Sequence, residues 1–197
     1  IFDEVITAFG RMGSNTGAEE FGVTPDLMTV AKQITNGVIP MGAVIAKQYI
    51  YDTFMETGGP EYMLELPHGY TYSAHPVACA AALASLDILA KDRLPERVKS
   101  IAPYFQEALH GLKGSNHVID IRNYGFAGAL SIATLGAEQG KPEPAKRPYE
   151  IGMKMWNKGF YVRYGGDTIQ LGLPFTTELS EIDSLVNALG ETLSEIK

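Results

Sequence analysis

The sequence predicts an α/β protein, from three observations. Short apolar runs bounded by turn residues, such as 41–46 (MGAVIA), indicate buried strands and suit parallel strands covered on both faces. Residues 77–90 have high helix propensity and an almost wholly apolar first half. Residues 178–196 repeat Leu, Ile and Val at helical spacing. Together these patterns indicate helices packed on a sheet.

The middle of the chain adds two helices and two strands. The first helix begins at Pro76, because proline suits the first helical position, and we expect its apolar half to be buried on all sides. A second, amphipathic helix covers 94–112, and Pro103 either bends it or marks its start. Residues 117–135 predict two strands on either side of Gly125.

The last third predicts a loop followed by alternating elements. Residues 136–147 are polar and rich in glycine and proline, which is typical of an exposed loop. A short helix at 148–158 leads into strands within 160–164 (FYVRY) and 168–175 (TIQLGLPF). The amphipathic helix at 178–196 then packs on the sheet.

A change in composition near residues 90–95 indicates two domains. We interpret 1–75 as part of a larger α/β domain, 76–93 as a connecting helix and 94–197 as a smaller domain of strands and helices.

Composition excludes several functional classes. The chain has 197 residues, 45% of them hydrophobic, which is typical of a folded protein rather than a disordered one. A net charge of −7 argues against nucleic acid as a partner. No apolar run has membrane-spanning length, so we expect no membrane association. The single cysteine excludes an internal disulfide framework and suits a cytoplasmic protein.

A lysine and an aspartate lie in contexts that suit cofactor chemistry. Lys32 follows an apolar stretch and precedes the polar turn at 35–37. Asp3 follows an apolar pair that we interpret as the end of a strand, where ligand groups cluster in open α/β sheets. In isolation, a lysine is most often a solvated charge and an aspartate a capping or turn residue. Glu4 is adjacent to Asp3, which raises the question of which acid acts.

Four motifs, in this order, resemble the class III aminotransferases. They are DEVITAFGR (3–11), AKQITNG with PMGAV (31–44), HGYTYSAHP (68–76) and VRYGGDTIQLG (162–172). More narrowly, these motifs resemble the omega-amino acid:pyruvate (β-alanine:pyruvate) group, and the chain aligns with the C-terminal half of such an enzyme.

This resemblance implies a pyridoxal 5′-phosphate (PLP) enzyme of transferase fold type I. The chain would supply the C-terminal part of the large domain plus the small α/β domain. The family assembles as homodimers with active sites at the subunit interface. The reaction moves an amino group from an omega-amino acid or amine to pyruvate. A missing N-terminal half, or a second chain that carries it, is expected as a partner, and the fragment alone is expected to have little or no activity.

The resemblance also assigns roles to five residues. Lys32 would form the Schiff base with PLP and move a proton as general base and then acid. Asp3, rather than Glu4, would hold the pyridine nitrogen protonated, and Val5 would pack on the cofactor ring. Thr71 would bind the PLP phosphate of the neighbouring subunit.

The fifth residue is Arg163, which lies at a strand end. Its guanidinium would bind a substrate carboxylate. An ion pair between Arg163 and Asp167, or another acid, is the alternative. Arg11 and Arg122 are interpreted as structural, and residues 13–17 as a surface turn rather than the phosphate loop.

Several alternatives stay open. Related class III enzymes include an aminomutase, racemases and decarboxylases, whose donor pockets lie largely in the half that this chain lacks. A catalytically inactive folding or dimerisation module is a further alternative. His68 and His75 receive no catalytic role, and no residues have metal-ligand spacing, so no metal is predicted.

Overall fold

A computed structural model describes residues 1–196, which form two compact units. The first unit spans Ile1–Pro95 and the second begins at Glu96. Each unit has its own sheet and its own buried side chains. Within residues 1–196, no helix is both long enough and apolar enough to cross a membrane.

The first unit has a three-stranded sheet with β2 in the middle. Strand β2 is parallel to β1 and antiparallel to β3. Its elements are β1 (Phe2–Asp3), α1 (Gly17–Phe21), β2 (Leu27–Val30), a 3-10 helix (Lys32–Ile34), β3 (Ala43–Ala46), α2 (Gln48–Thr57) and α3 (Pro76–Lys91).

The buried core of the first unit is small. It consists of Ala8, Val30, Ile34 and Ala82, with partly buried apolar side chains packed around them. These residues join the turn after β1, the end of β2, the 3-10 helix and α3. The core therefore fixes the chain at the carboxyl ends of β1 and β2.

Strand β3 corrects one sequence-based prediction. The run 41–46 does contain a strand, but the strand is antiparallel to its neighbour and lies at the edge of the sheet. Val44 and Ile45 are 67% and 54% exposed, so the predicted burial on both faces is wrong within this unit. An apolar run indicates a strand without specifying what covers it.

Helix α3 confirms one prediction and corrects another. It begins at Pro76, as predicted. Only Ala78, Ala82 and Leu89 are buried, while Leu83 is 64% exposed. The expectation that its apolar half is buried on all sides is therefore wrong in this unit, because only one narrow stripe of the helix meets the sheet.

The second unit has a four-stranded antiparallel sheet in the order β4–β5–β7–β6. Three helices accompany it. Its elements are α4 (Leu94–His110), β4 (Val118–Tyr124), β5 (Ala127–Ile132), α5 (Lys146–Asn157), β6 (Arg163–Gly165), β7 (Thr168–Gly172) and α6 (Leu179–Glu195).

Close packing of α4 on β5 forms the centre of the second unit. Phe105 of α4 meets Phe126 edge-to-face, with ring centroids 6.3 Å apart, and both are fully buried. A Cβ placed on Gly128 would lie 2.7 Å from Leu109 Cδ2 and 3.0 Å from Phe105 Cζ. The glycine therefore permits the helix to approach the strand.

Arg97 of α4 fixes the start of α6. Its Nε donates to the carbonyl of Phe175 at 3.1 Å, and its Nη2 donates to the carbonyl of Thr177 at 2.8 Å. The same guanidinium pairs with Glu178 at 2.9 Å. Glu178 caps α6 in a capping box with Glu181. One cation thus satisfies carbonyls that precede the helix and orients its capping residue.

The sequence anticipated most elements of the second unit. Two strands flank Gly125, and the helix at the end of the chain matches its predicted span closely. Helix α4 begins at Leu94, so the alternative in which Pro103 starts the helix is wrong. Val98 is fully buried, and its packing stabilises the helical turn that precedes Pro103.

The close approach at Gly128 predicts a measurable asymmetry between two strand glycines. We expect Gly128→Ala to lower the free energy of unfolding by about 1–3 kcal/mol, because the added methyl overpacks the α4–β5 contact. Gly172→Ala on β7 is the matched control, since its Cβ would meet nothing within 4 Å. Urea unfolding of both variants tests this, and equal losses would contradict the packing described.

Candidate active site

Asp3 lies at the carboxyl end of β1 with one oxygen held and the other open. It pairs with Thr29 in the parallel register of β1 and β2. Asp3 Oδ1 accepts the Val5 N–H at 3.1 Å and the Thr29 hydroxyl at 3.3 Å. Oδ2 accepts no hydrogen bond from residues 1–196, and the side chain is exposed. The carboxylate is therefore oriented and still able to accept a proton donor.

Lys32 follows the carboxyl end of the neighbouring strand. Strand β2 ends at Val30, and Lys32 opens the 3-10 helix with φ at 49°, in the left-handed region that costs a non-glycine residue energy. Ile34 is buried in the core, and Ser85 Oγ donates to the Gln33 carbonyl at 3.2 Å. These contacts hold the strained backbone in place.

The Lys32 side chain is exposed and makes no hydrogen bond or ion pair within residues 1–196. Asp3 and Lys32 thus share one edge of the sheet, because β1 and β2 are parallel neighbours that both end there. The desolvated setting that a reactive lysine requires is not supplied by the described residues.

Glu4 is buried and structural, which separates it from its neighbour Asp3. It is 2% exposed, and its Oε2 accepts the Thr7 hydroxyl at 2.6 Å and the Gly17 N–H at 2.8 Å. Its Oε1 accepts the Ala18 N–H at 2.7 Å. Both oxygens are engaged inside the protein, so this acid anchors the turn after β1 to the start of α1.

Residues 13–17 do not offer a free phosphate loop in this structure. The amide of Gly13 donates to the Gly10 carbonyl at 3.0 Å, and the Gly17 amide donates to Glu4. The buried carboxylate occupies the donors that a phosphate would need. Arg11 is half-buried nearby in sequence, and burial lowers the pKa of its guanidinium, which suits a structural residue.

Val5 and Thr71 occupy different surroundings in the first unit. Val5 is half-buried directly after the Asp3 turn. Thr71 is exposed in a turn, and its side chain makes no hydrogen bond within residues 1–196. The turn is held by Ser73, whose N–H donates to the Tyr70 carbonyl at 2.9 Å and whose hydroxyl accepts the Tyr70 N–H at 3.1 Å. The Thr71 hydroxyl is therefore available to a ligand.

Arg163 lies on β6 in the second unit and is unpaired within the described part of the chain. Its side chain is exposed and makes no hydrogen bond or ion pair there. Asp167, the acid proposed as its alternative partner, instead accepts hydrogen bonds from the Thr134 hydroxyl and the Ala145 N–H. The guanidinium is thus free to meet a carboxylate from outside.

Two further residues at these positions were not anticipated from the sequence. Thr29 orients Asp3, and Thr134 holds Asp167. The pairing of Asp3 with Thr29 depends on the strand register, which no motif in the sequence specifies. A polar residue in an otherwise apolar strand was the one available signal for Thr29.

The family model for aminotransferase class-III matches residues 1–193. The chain belongs to the class III aminotransferases.

Curated relatives of this class III chain include two Pseudomonas enzymes. The chain is 60% identical to the β-alanine–pyruvate aminotransferase of Pseudomonas aeruginosa over 196 residues, which is 100% of this chain and 43% of the relative. It is 57% identical to the omega-amino acid–pyruvate aminotransferase of Pseudomonas putida, covering 100% of this chain and 42% of that protein. The chain therefore spans less than half the length of these relatives.

A solved structure supports the fold. The PLP-bound amine transaminase from an uncultivated Pseudomonas species superposes with a TM-score of 0.87 at 36% identity, covering 98% of this chain and 44% of that one. The α/β fold is that of PLP-dependent transaminases, as predicted. Class III aminotransferases are PLP-dependent, so the predicted cofactor class is confirmed for the family.

The residues of this class III chain fit part of a PLP site. Asp3 offers an open carboxylate oxygen for a ring N–H, and Lys32 offers an unpaired amine at the same sheet edge. Val5 adds an apolar side chain beside them. At the phosphate end Thr71 offers a hydroxyl, while the Gly13, Asn15 and Gly17 amides of the 13–17 turn donate to other groups of the chain.

The structural role of Glu4 makes a stability prediction. We expect Glu4→Gln to destabilise the first unit by about 1–3 kcal/mol, because an amide nitrogen would face a backbone N–H donor in a buried position. Glu19→Gln is the matched control, since the exposed Glu19 side chain accepts one hydrogen bond from the described residues, from the Asn15 N–H at 3.0 Å. Thermal unfolding compares the two variants, and a loss in Glu19→Gln as large as in Glu4→Gln would contradict the assignment.

Proposed function

We propose that this chain supplies the cofactor lysine and the substrate-binding arginine of a PLP-dependent omega-amino acid:pyruvate aminotransferase. The proposal rests on the shared sheet edge of Asp3 and Lys32, where one carboxylate oxygen and one amine have no partner among residues 1–196. The relatives named as β-alanine–pyruvate and omega-amino acid–pyruvate aminotransferases support the substrate class.

When PLP is bound, its protonated ring withdraws electrons from the carbon that carries the donor's amino group. Asp3 Oδ2 would accept a hydrogen bond from the ring nitrogen and so keep a proton there. Lys32 Nζ would hold the cofactor, and it would take up the proton of the donor carbon as general base and then give a proton back as general acid. Val5 would add an apolar side chain to the cofactor site.

Amino transfer runs in two half-reactions that balance. In the first, the donor amine becomes an oxo product and leaves its nitrogen behind. In the second, pyruvate takes that nitrogen and leaves as alanine. Arg163 binds the pyruvate carboxylate through two parallel hydrogen bonds. The absence of any partner for Arg163 within residues 1–196 supports this role.

The exposed apolar surface of the first unit supports the proposal that a further binding partner covers it. Helix α2 buries none of its residues, and β3 exposes Val44 and Ile45. Tyr62 and Leu64 are 87% and 71% exposed. Apolar surface of this extent indicates an interface. We propose that the N-terminal half of the fold, joined to this chain or supplied as a second chain, covers it.

Dimer formation and domain organisation complete the proposal. We propose a homodimer in which Thr71 reaches the cofactor phosphate of the neighbouring subunit. In this proposal residues 1–75 form part of the PLP-binding large domain and residues 94–197 form the small domain. The helix within 76–93 connects the two domains. A cytoplasmic location is also proposed, since a single cysteine suits a reducing compartment.

A second candidate is an inactive folding or dimerisation module. The exposure of Lys32 favours it, because a Schiff-base lysine requires a desolvated or cationic setting that the described residues do not supply. A different class III outcome, such as an aminomutase, racemase or decarboxylase, uses the same cofactor residues and differs in its product.

A chimera tests the proposed function. This chain replaces the matching 43% of the Pseudomonas aeruginosa enzyme, and alanine formation from β-alanine and pyruvate is measured. We expect activity that Lys32→Arg abolishes and that Lys91→Arg, at an exposed lysine at the end of α3, leaves unchanged. The isolated chain is expected to show little or no activity.

Three outcomes would contradict the proposal. A folded, PLP-loaded chimera that forms no alanine would favour the inactive module. An isomerised, racemised or decarboxylated product would favour another class III activity. A robust rate from the isolated chain, proven free of any N-terminal half, would overturn the need for a partner.

The proposed role of Arg163 predicts that replacing it lowers activity towards pyruvate selectively in the same chimera. We expect Arg163→Met to lower kcat/KM for pyruvate roughly a hundredfold, the equivalent of ~3 kcal/mol for a lost charge-assisted pair. The kcat/KM for an amine donor without a carboxylate should stay within about twofold, because that donor has no group for the guanidinium to bind. Arg122→Met is the matched control, since Arg122 is exposed on β4 and pairs with Asp120 at 3.2 Å.

A further inference from the structure

The turn between β6 and β7 is anchored by one side chain. Gly165 pairs with Thr168, so the hairpin turns through Gly166 and Asp167. Gly166 has φ at 54°, which is a left-handed conformation. Two-residue hairpin turns require this conformation and therefore favour glycine. The Asp167 carbonyl accepts the Ile132 N–H at 2.8 Å, which joins the turn to the end of β5.

The Asp167 carboxylate connects the turn to two further segments. Its Oδ2 accepts the Thr134 hydroxyl, just after β5, and its Oδ1 accepts the Ala145 N–H at 2.8 Å, just before α5. Ala145 has φ at 62°, so the chain enters α5 through a strained residue that this hydrogen bond helps to hold. We call this set of contacts the Asp167 latch.

A second contact fixes the strand that carries Arg163. The Tyr164 ring lies against Gly152 of α5, where an added Cβ would approach Tyr164 Cδ1 to 2.5 Å. Tyr149 meets the same ring edge-to-face at 5.7 Å. Because side chains alternate along a strand, Arg163 projects to the face opposite Tyr164. Helix α5 thus supports β6 from one side, and the guanidinium occupies the other.

The latch also removes a competitor for the guanidinium. Asp167 lies four residues from Arg163 in the same hairpin, and both of its oxygens accept hydrogen bonds from other segments. Arg163 makes no ion pair within residues 1–196. A released Asp167 carboxylate would compete with a substrate carboxylate for the same cation.

We propose that Asp167 is a positioning residue for substrate carboxylates: held by Thr134 and Ala145, it fixes the hairpin that presents Arg163 and leaves that arginine unpaired. This inference rests on the function proposed for Arg163 and extends it to a residue that touches no substrate.

The test uses kinetics of the chimera with four variants. Asp167→Ala should lower kcat/KM for pyruvate about tenfold, because small displacements of a binding group are costly. Thr134→Val should lower it less, by about threefold, since only one of the two contacts is lost. Asp167→Asn should restore nearly wild-type values, because an amide can accept from Ala145 and donate to the Thr134 oxygen. Asp120→Ala, at an exposed acid on β4, is the control and should match wild type.

Two further measurements distinguish a positioning role from a general structural role, because only a positioning role affects carboxylate binding and leaves the amine half-reaction unchanged. The kcat/KM for a carboxylate-free amine should stay within about twofold of wild type in all four variants. In a ping-pong reaction, the kcat/KM of each substrate depends only on its own half-reaction, and this amine has no carboxylate for Arg163 to bind. The inhibition constant of propionate, an unreactive carboxylate, should rise in Asp167→Ala by the same factor as the pyruvate effect. Thermal unfolding identifies variants that have lost their fold.

Each outcome separates this inference from the proposed function. An inactive wild-type chimera would overturn the proposed function and this inference with it. An active chimera in which Asp167→Ala and Thr134→Val lower both half-reactions equally, or lower neither, would overturn the positioning role alone. Thr134→Val removes a single hydroxyl, so it decides the matter if Asp167→Ala fails to fold.

Discussion

The parallel pairing of two short strands is the constraint on which the candidate active site depends. Strand β1 ends at Asp3, opposite Thr29 of β2, and β2 ends two residues before Lys32. Because parallel neighbours end at the same sheet edge, the pairing brings an acid and a lysine from distant positions in the sequence to one place. Buried Glu4 then fixes the chain as it leaves β1, through three hydrogen bonds to Thr7 and the start of α1.

The two adjacent acids show how environment assigns different roles to similar side chains. Glu4 is 2% exposed and both of its oxygens accept hydrogen bonds inside the protein, so it contributes to the fold and is not presented to a ligand. Asp3 is exposed with one oxygen held, which orients the carboxylate and leaves Oδ2 without a hydrogen bond from residues 1–196. The sequence assigned these roles only through the family resemblance, and the structure adds a physical reason for them.

Patterns local in the sequence predicted much of the fold. Proline at position 76 and the apolar spacing of the last helix located α3 and α6 correctly, because capping and periodicity are local properties. The errors concern what lies against each element. Strand β3 and helix α3 were expected to be buried, and α2 was not anticipated at all. Burial depends on distant segments, and the relatives of this chain are more than twice its length.

The roles of Lys32, Asp3 and Arg163 were assigned by motif and stay predictions. Within residues 1–196 the structure shows each of the three with a polar group that has no partner. The contacts that orient them were not predictable, since the hydroxyl of Thr29 and that of Thr134 meet their acids only through strand register and loop folding.

Chemical trapping tests whether Lys32 is the lysine to which PLP binds. The chimera is treated with PLP, reduced with borohydride, digested and mapped by mass spectrometry. We expect one pyridoxyl group, on the peptide that contains Lys32, and its loss from that peptide in Lys32→Arg. Labelling of another single lysine, or labelling spread over the exposed lysines with none enriched at Lys32, would contradict it.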